Sequence, residues 1–403
     1  MISADKLLAA VGVERQAAAI RRFCPGRLAE FPLPLTPVVL RRDHVEEFYR
    51  SAAAVARWYE ALPLETIRSM PALPWTRADE DIEFGAGAIP LMRLDGIVTD
   101  SGSIRWIEAN IGDPSGFGYE YGMVRMLEQT PFMRQLHDAE LLCAASSHRH
   151  CVLGRAGVEQ PNVILLMDRQ HPLNADVELL ARSWTELGGP TPSVVDPREP
   201  RLEGSTLNAG DRRIDVVVRD TVEEWYGDSY VPDTEPLIRA ARQQYVEVIN
   251  PLRTARLENK ALLQEASQQI EDVQESYAVS LENAAVVKEA CGSPGSWVLK
   301  PLWEYGGRGV IFGNDASPDT WRTLLRPAAD LRSARYIIQR RIDSQRHRLW
   351  VMRDGRSSFE DRHLVLSVWV IDGRPCGMLA RSACEGAVNV TSGAILHPVA
   401  VVD

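Results

Sequence analysis

Lys300 ends a short apolar run, Trp297-Val298-Leu299, and a glycine-rich stretch follows: Glu304-Tyr305-Gly306-Gly307-Arg308-Gly309. A lysine at a strand end supplies a point charge for a phosphate. Glycines let backbone N–H groups crowd onto phosphate oxygens, because no Cβ blocks the approach. This is not a Walker loop, which needs GxxxxGK, then Ser or Thr, then a helix. Taken alone, a hairpin with a pliable turn and a surface lysine reads equally well.

Three other stretches could carry chemistry. Arg93-Leu94-Asp95 and Glu108-Ala109-Asn110 each put two polar residues on one face of an extended strand. Side by side they would gather a cation, two carboxylates and an amide oxygen, and such hard oxygens suit Mg²⁺. The plain alternative is a solvated hairpin face, although polar groups beside the apolar flank WIEANI need partners. Tyr336-Ile337-Ile338-Gln339 is an apolar strand with one amide, able to offer its backbone to an adenine edge; an ordinary strand fits as well. Arg381, followed by Val388-Asn389 and Ser392-Gly393, could meet a phosphate or carboxylate, or could be an exposed arginine before a turn.

These residues need elements to hold them. Val45, Phe48, Ala52, Val55 and Trp58 recur at helical spacing, predicting a helix over 41–62 after the proline-broken segment FPLPLTPVVL. IPLMRLDGIV and SIRWIEAN read as two strands around the turn TDSGS. Residues 119–147 return to helix. From Pro161, NVILLMD, VELLARSWTELGG, PSVVD and RIDVVVRD alternate strand, helix, strand, strand, with a helix stop at Gly188-Gly189. That order predicts a parallel α/β unit. Residues 256–290 read as a charged helical connector, and the chain is β-rich from Trp297.

The predicted class is α/β (α+β), with an antiparallel sheet and a smaller parallel α/β unit. Three regions follow: 1–160, helical with strands that serve the acidic patch; 161–255, the parallel unit; and 256–403, the antiparallel sheet. The length of 403 residues suits two or three domains at roughly 100–200 residues each. With 45% hydrophobic and 25% charged residues, disorder is excluded as the dominant state. A net charge of −10 argues against a dedicated nucleic-acid binder.

Six cysteines without a CxxC pair fit a reduced cytoplasm better than a disulfide framework. The first twenty residues lack a signal peptide's apolar core, and no run is long enough to span a membrane. His148, His150 and Cys151 have no second ligand pair at zinc spacing. Arg340, Arg341, Arg346 and Arg348 form a basic run that reads as a solvated face or as a phosphate contact.

In combination, Lys-Pro-x-x-Glu-x-Gly-Gly, Tyr-x-x-Gln and a terminal Arg…Val-Asn…Ser-Gly resemble the ATP-grasp superfamily. Glu-x-Asn, with Arg-x-Asp upstream, precedes the lysine and glycine loop. That order resembles the circularly permuted branch, which includes eukaryotic-type glutathione synthetase and glutathionylspermidine synthetase. The resemblance runs from about Arg93 to the C-terminus. Tyr305 and Arg308 depart from it by interrupting the glycine loop.

The resemblance implies an ATP-dependent carboxylate–amine ligase working through an acylphosphate, with ATP and Mg²⁺. An inactive nucleotide-binding scaffold is the alternative. It implies Lys260, in LENK, and Lys300 as the phosphate lysines, Gly306, Gly307, Arg308 and Gly309 as the phosphate loop, and Gln339 at the adenine strand. It implies Asp95, Glu108, Asn110 and Glu304 as metal ligands, and Arg93 and Arg381 as catalytic arginines. The implied partners are small carboxylates and amines, such as amino acids or small peptides, with no nucleic acid or membrane; a homodimer is left open.

Overall fold

The computed structural model describes residues 5–71, 89–168, 175–219, 231–344, 346–384, 388 and 393–403. Three sheets organise the site. The largest has nine strands and is mostly antiparallel. Its path runs through Leu33–Pro34, His347–Arg353, Arg356–Ile371, Arg374–Ala383, Ile395–Val402 and Val38–Arg41. Leu91–Val98 pairs with Arg356–Ile371, Ile104–Asn110 pairs with Leu91–Val98, and Glu140–Leu141 pairs with Ile395–Val402.

The register of this sheet assembles one polar face. Asp95 stands opposite Glu108 and Ser367, and Arg93 opposite Asn110 and Trp369. Ser367 stands opposite Leu379, two residues before Arg381. Opposite residues of an antiparallel pair share a face, as do residues two apart. Leu94, Leu366, Val368 and Ala380 fall on the other face. There they join a core with Val45, Phe48, Ala52 and Val55 of the helix Arg42–Glu60.

The parallel unit has the predicted form. Glu247–Ile249, Val216–Val218, Val163–Leu166 and Ser193–Val195 lie parallel in that order. The helix Ala175–Glu186 stops where Gly188 takes φ 74° and Gly189 N–H bonds back to the Trp184 carbonyl at 2.8 Å, a glycine stop of the left-handed kind.

The region from 256 onward departs from the single antiparallel sheet expected of it. Alongside the strands it gives the large sheet, it forms a separate four-stranded one: Ser276–Ala278, Tyr336–Arg340, Trp297–Pro301 and Ile311–Phe312. Ser276–Ala278 is an edge strand inside the stretch expected to be a helical connector. Three residues are too few to show alternation in sequence. FPLPLTPVVL contributes two strands to the large sheet, paired with residues more than 300 positions away. Within 119–147 the helices Phe117–Glu128 and Pro131–Gln135 are followed by the short strand Glu140–Leu141.

A seam joins the two antiparallel sheets. Trp106 N–H bonds to the Asp272 carbonyl at 2.8 Å, and Gln274 N–H bonds to the Trp106 carbonyl at 2.9 Å. The chain then continues directly into Ser276–Ala278. Lys300 and Gln339, on neighbouring strands of the small sheet, are thereby brought over Ile107.

Candidate functional site

The floor of the site is the polar face of the large sheet, and Asp95 is its centre. Asp95 is 1% exposed. Its Oδ1 accepts from Ser367 Oγ at 2.7 Å and from Arg93 Nε at 3.2 Å. Its Oδ2 accepts from Arg93 Nη2 at 3.2 Å and Asn110 Nδ2 at 3.1 Å, and pairs with Arg381 Nη2 at 2.7 Å. Burial alone would raise this carboxyl, but Arg381, Arg93 and the Ser367 hydroxyl together hold it far below the usual carboxylate range. Both oxygens are thus committed to neighbours. Asn110 donates through its nitrogen, which leaves its Oδ1 as the available acceptor. Arg93 also donates through Nη1 to the Ser115 carbonyl at 2.6 Å.

The roof belongs to the small sheet and to the chain before it. Lys260 and Lys300 are each 7% exposed. Lys260 Nζ lies 3.1 Å from Glu108 Oε1 and donates to the Glu304 carbonyl at 2.8 Å. Lys300 Nζ donates to the Ile107 carbonyl at 3.1 Å. Burial pushes the Lys300 amine down to about 8; Glu108 opposes the shift and Lys260 adds to it. Burial raises the Glu108 carboxyl, but Lys260 and Lys300 outweigh it and hold the group below its ordinary value. Gln339 donates to Ser276 Oγ at 2.9 Å, beside Lys300 on the same sheet face.

The glycine-rich loop turns back over Lys260. Gly306, Gly307 and Gly309 take φ of 67°, 74° and 67°, in the left-handed region where a Cβ is costly. A Cβ on Gly309 would also stand 2.7 Å from Pro301 Cγ. Glu304 is half exposed, with Oε2 3.5 Å from Arg308 Nε. Tyr305 places its ring 5.7 Å from Lys260 Nζ.

The structure therefore brings together Arg93, Asp95, Glu108, Asn110, Lys260, Lys300, Gln339 and Arg381, with the loop from Glu304 to Gly309 alongside. Asn389 and Ser392 lie outside the described residues. The basic run does not join the cluster as a unit. Arg340 stacks on Trp297 at 4.3 Å and pairs with Glu275 and Glu289, and Arg348 stacks on Phe359 and pairs with Asp361. His148 is buried against Phe117, and its burial lowers the imidazole to about 3.

Sequence reasoning missed several supporting residues. Ser367 anchors Asp95. Glu258, 7% exposed, accepts from the backbone N–H groups of Ile111, Gly112 and Asp113 at 2.7, 2.7 and 3.3 Å. It also accepts the Tyr305 hydroxyl at 3.0 Å. Asn250 accepts the Leu91 N–H at 2.9 Å and donates to the carbonyls of Leu91 and Ile111. Arg219 donates to the Gly112 carbonyl at 2.7 Å. Asp176 holds the start of the Phe117–Glu128 helix through the N–H groups of Gly116 and Tyr119. The available signal was a charged residue at the end of an apolar run, as for Arg219 in VVVRD.

The arrangement suits a polyanion. Four cations, Arg93, Arg381, Lys260 and Lys300, face two carboxylates, Asp95 and Glu108. Arg381 Nε is buried with no hydrogen-bond partner among the described residues. Buried donors and uncompensated positive charge favour a multiply charged ligand such as a phosphate chain. Among the described residues no three His, Cys, Asp or Glu side chains are grouped to hold a metal alone. Mg²⁺ does not require such a cage. It is commonly held by one or two carboxylates together with substrate phosphates; Glu108 and Asn110 present oxygens of that kind from one strand, whereas the Glu304 carboxylate is turned to Arg308.

No protein-family model and no curated protein sequence matches the chain. Solved structures do. A glutathione synthetase-like effector, GSS30, from Globodera pallida in its apo form aligns with TM-score 0.62 and 12% identity, covering 100% of this chain and 98% of that one. A gamma-glutamylcysteine synthetase-like protein of Methylobacillus flagellatus aligns with TM-score 0.42 and 11% identity over 88% of this chain and 85% of that one. The ATP-grasp ligase PsnB, solved with a precursor variant, Mg and ADP, aligns with TM-score 0.31 and 14% identity over 59% of this chain and 88% of that one. With its large antiparallel sheet, its second small sheet and its end-to-end match, the chain shares the fold of the glutathione synthetase-like effector.

Proposed function

We propose that the protein is an ATP-dependent carboxylate–amine ligase that forms an amide or peptide bond through an acylphosphate. The observation that carries this reading is the surplus of buried cations between the two sheets. Lys260 and Lys300 would neutralise the phosphate chain of ATP, under the loop from Gly306 to Gly309. Gln339 would stand at the adenine end. Arg93 and Arg381, oriented by Asp95, would receive the phosphoryl group as it moves to the substrate carboxylate. Phosphoryl transfer needs mainly positioning and charge neutralisation, so no nucleophile on the protein is called for.

Glu108, Asn110 and Glu304 would hold Mg²⁺, which, when bound, supplies charge neutralisation on the phosphate oxygens. Strand spacing and the family resemblance both group Asp95 with these ligands. Its committed oxygens support a different assignment, as the anchor of two arginines. The loop, closing over the site, would keep water from the acylphosphate until an amine attacks its carbonyl carbon and expels phosphate. The acceptors in view are small molecules, amino acids or short peptides.

The test is ADP release with ATP, Mg²⁺ and a pooled set of amino acids and polyamines, with products read by mass spectrometry. A ligase sustains ADP release over many turnovers only when a carboxylate and an amine are both present, and a new amide appears. Nucleotide binding without turnover by any pool would support the inactive scaffold instead.

A further inference from the structure

Tyr305 is one of two residues that break the run of glycines in the loop, and its hydroxyl reaches a buried carboxylate. That carboxylate, Glu258, has its Oε1 committed to three consecutive backbone N–H groups, those of Ile111, Gly112 and Asp113. Its Oε2 takes the Tyr305 hydroxyl. The three N–H groups begin immediately after Asn110, and the same short loop leads to Ser115, whose carbonyl holds Arg93. One side chain therefore bridges the strand end carrying Glu108 and Asn110 and the loop placed over Lys260. The space around it is tight: a Cβ on Gly112 would stand 3.0 Å from Glu258 Oε2 and 3.2 Å from Ala255 Cα.

We infer that Glu258 is a positioning residue that locks the 111–113 loop and, through Tyr305, tethers the glycine-rich loop to it. The tether sets the resting place of that loop before nucleotide arrives. This role rests on the ligase reading for its effect on turnover, but the tether itself is a property of the nucleotide-free protein. The bonds demand acceptor oxygens at fixed positions and make no demand for negative charge. A glutamine can copy them: its Oε1 accepts the three N–H groups, and its Nε2 donates to a Tyr305 hydroxyl that now accepts.

The experiment compares Glu258→Gln, Glu258→Leu and Tyr305→Phe in the full chain. Amide hydrogen exchange of the nucleotide-free protein is read over 111–113 and 305–309. Tyr305→Phe should raise exchange by about tenfold at 305–309 alone, the scale of one lost hydrogen bond. Its KM for ATP should shift about three- to tenfold with kcat held, since only loop placement changes. Glu258→Leu should loosen both loops and lower kcat, because the loop following Asn110 is no longer held. Glu258→Gln should restore protection in both loops and keep kcat and the Mg²⁺ requirement near wild type. If the glutamine variant is as impaired as the leucine variant, or needs more Mg²⁺, Glu258 acts by its charge and the inference is overturned. Unchanged exchange at 305–309 in Tyr305→Phe overturns it as well, and this arm decides even if wild type turns over no substrate pool or Glu258→Leu does not fold.

Discussion

The floor and the roof of the site both hold two cations, yet they hold them differently. On the floor, Arg93 and Arg381 share one buried carboxylate, and Ser367 and Asn110 complete its shell. On the roof, Lys300 meets a backbone carbonyl, Lys260 meets another, and Glu108 is the carboxylate that faces them both. On the floor the two arginines are fixed in direction by their bonds to Asp95. On the roof burial displaces the Lys300 amine downward, with Lys260 adding to the shift and Glu108 opposing it. The lesson is that two halves with the same surplus of one cation prepare for an anion differently: the floor fixes the direction of its guanidinium groups, and the roof holds its two ammonium groups away from water.

Breaking the floor should do the most damage. Asp95→Asn strands two largely covered guanidinium groups, 14% and 12% exposed, beside a neutral amide. Removing one partner of a buried ion pair costs about 3–5 kcal/mol, so the melting temperature should fall and turnover should drop with it. Calorimetric unfolding checks this; an unchanged melting temperature would mean that the arginines find other anions. Arg93→Lys is gentler on folding and sharper on chemistry. It should lower kcat more than about tenfold while the Kd of ATP stays within a few-fold, because lysine cannot bridge two oxygens as a guanidinium does. Pre-steady-state ADP formation without amine is the measurement, and a loss confined to the later amine step would move Arg93 to the acceptor site.

On the roof, Lys300→Met should weaken ATP binding by about 1.5–3 kcal/mol, the value of a charged hydrogen bond. Folding stability should not fall, since the lysine is unfavourably charged before the ligand binds. Glu108→Gln should raise the Mg²⁺ needed for half-maximal turnover and lower the melting temperature less than Asp95→Asn does, since Glu108 is the more exposed carboxylate; normal activity at limiting Mg²⁺ would return Glu108 to a structural role.

The smallest effect is with pH. Lys300 binds its proton less tightly folded, at about 8, than unfolded. Between that value and the ordinary lysine range the unfolded chain carries more protons, so this residue's contribution to stability rises with pH across the window. Nucleotide binding should reverse the shift, with proton uptake near pH 8 and affinity falling as pH rises through it. Calorimetry in buffers of different ionisation enthalpy reads that uptake, and Lys300→Met should abolish it.

Much of the floor was legible in the sequence, because its residues follow the two-residue period of strands: Arg93 with Asp95, and Glu108 with Asn110. The parallel unit was legible for the same reason, with short apolar strands bounded by turns and one glycine-stopped helix. Glu258 was not legible. Its partners are backbone N–H groups about 145 positions earlier, which no local pattern records. Ser367 faces Asp95 only once Arg356–Ile371 has paired with Leu91–Val98. The division of the C-terminal region into two sheets was hidden likewise, since Ser276–Ala278 becomes a strand only by pairing with Tyr336–Arg340.

Arg219 and Asn250 stand at the ends of two parallel strands, yet each also sends hydrogen bonds out of the parallel unit, to Gly112 from Arg219 and to Leu91 and Ile111 from Asn250. A protein engineer who exchanged residues 161–255 for the equivalent block of a relative, hoping to transplant specificity, would cut through these anchors. A chimera keeping both residues should retain the bend after Asn110, and one lacking them would carry unpaired carbonyls into the centre of the molecule. The block is thus a cassette in topology only, and the breakpoints that work must be chosen around two side chains and not around the ends of strands.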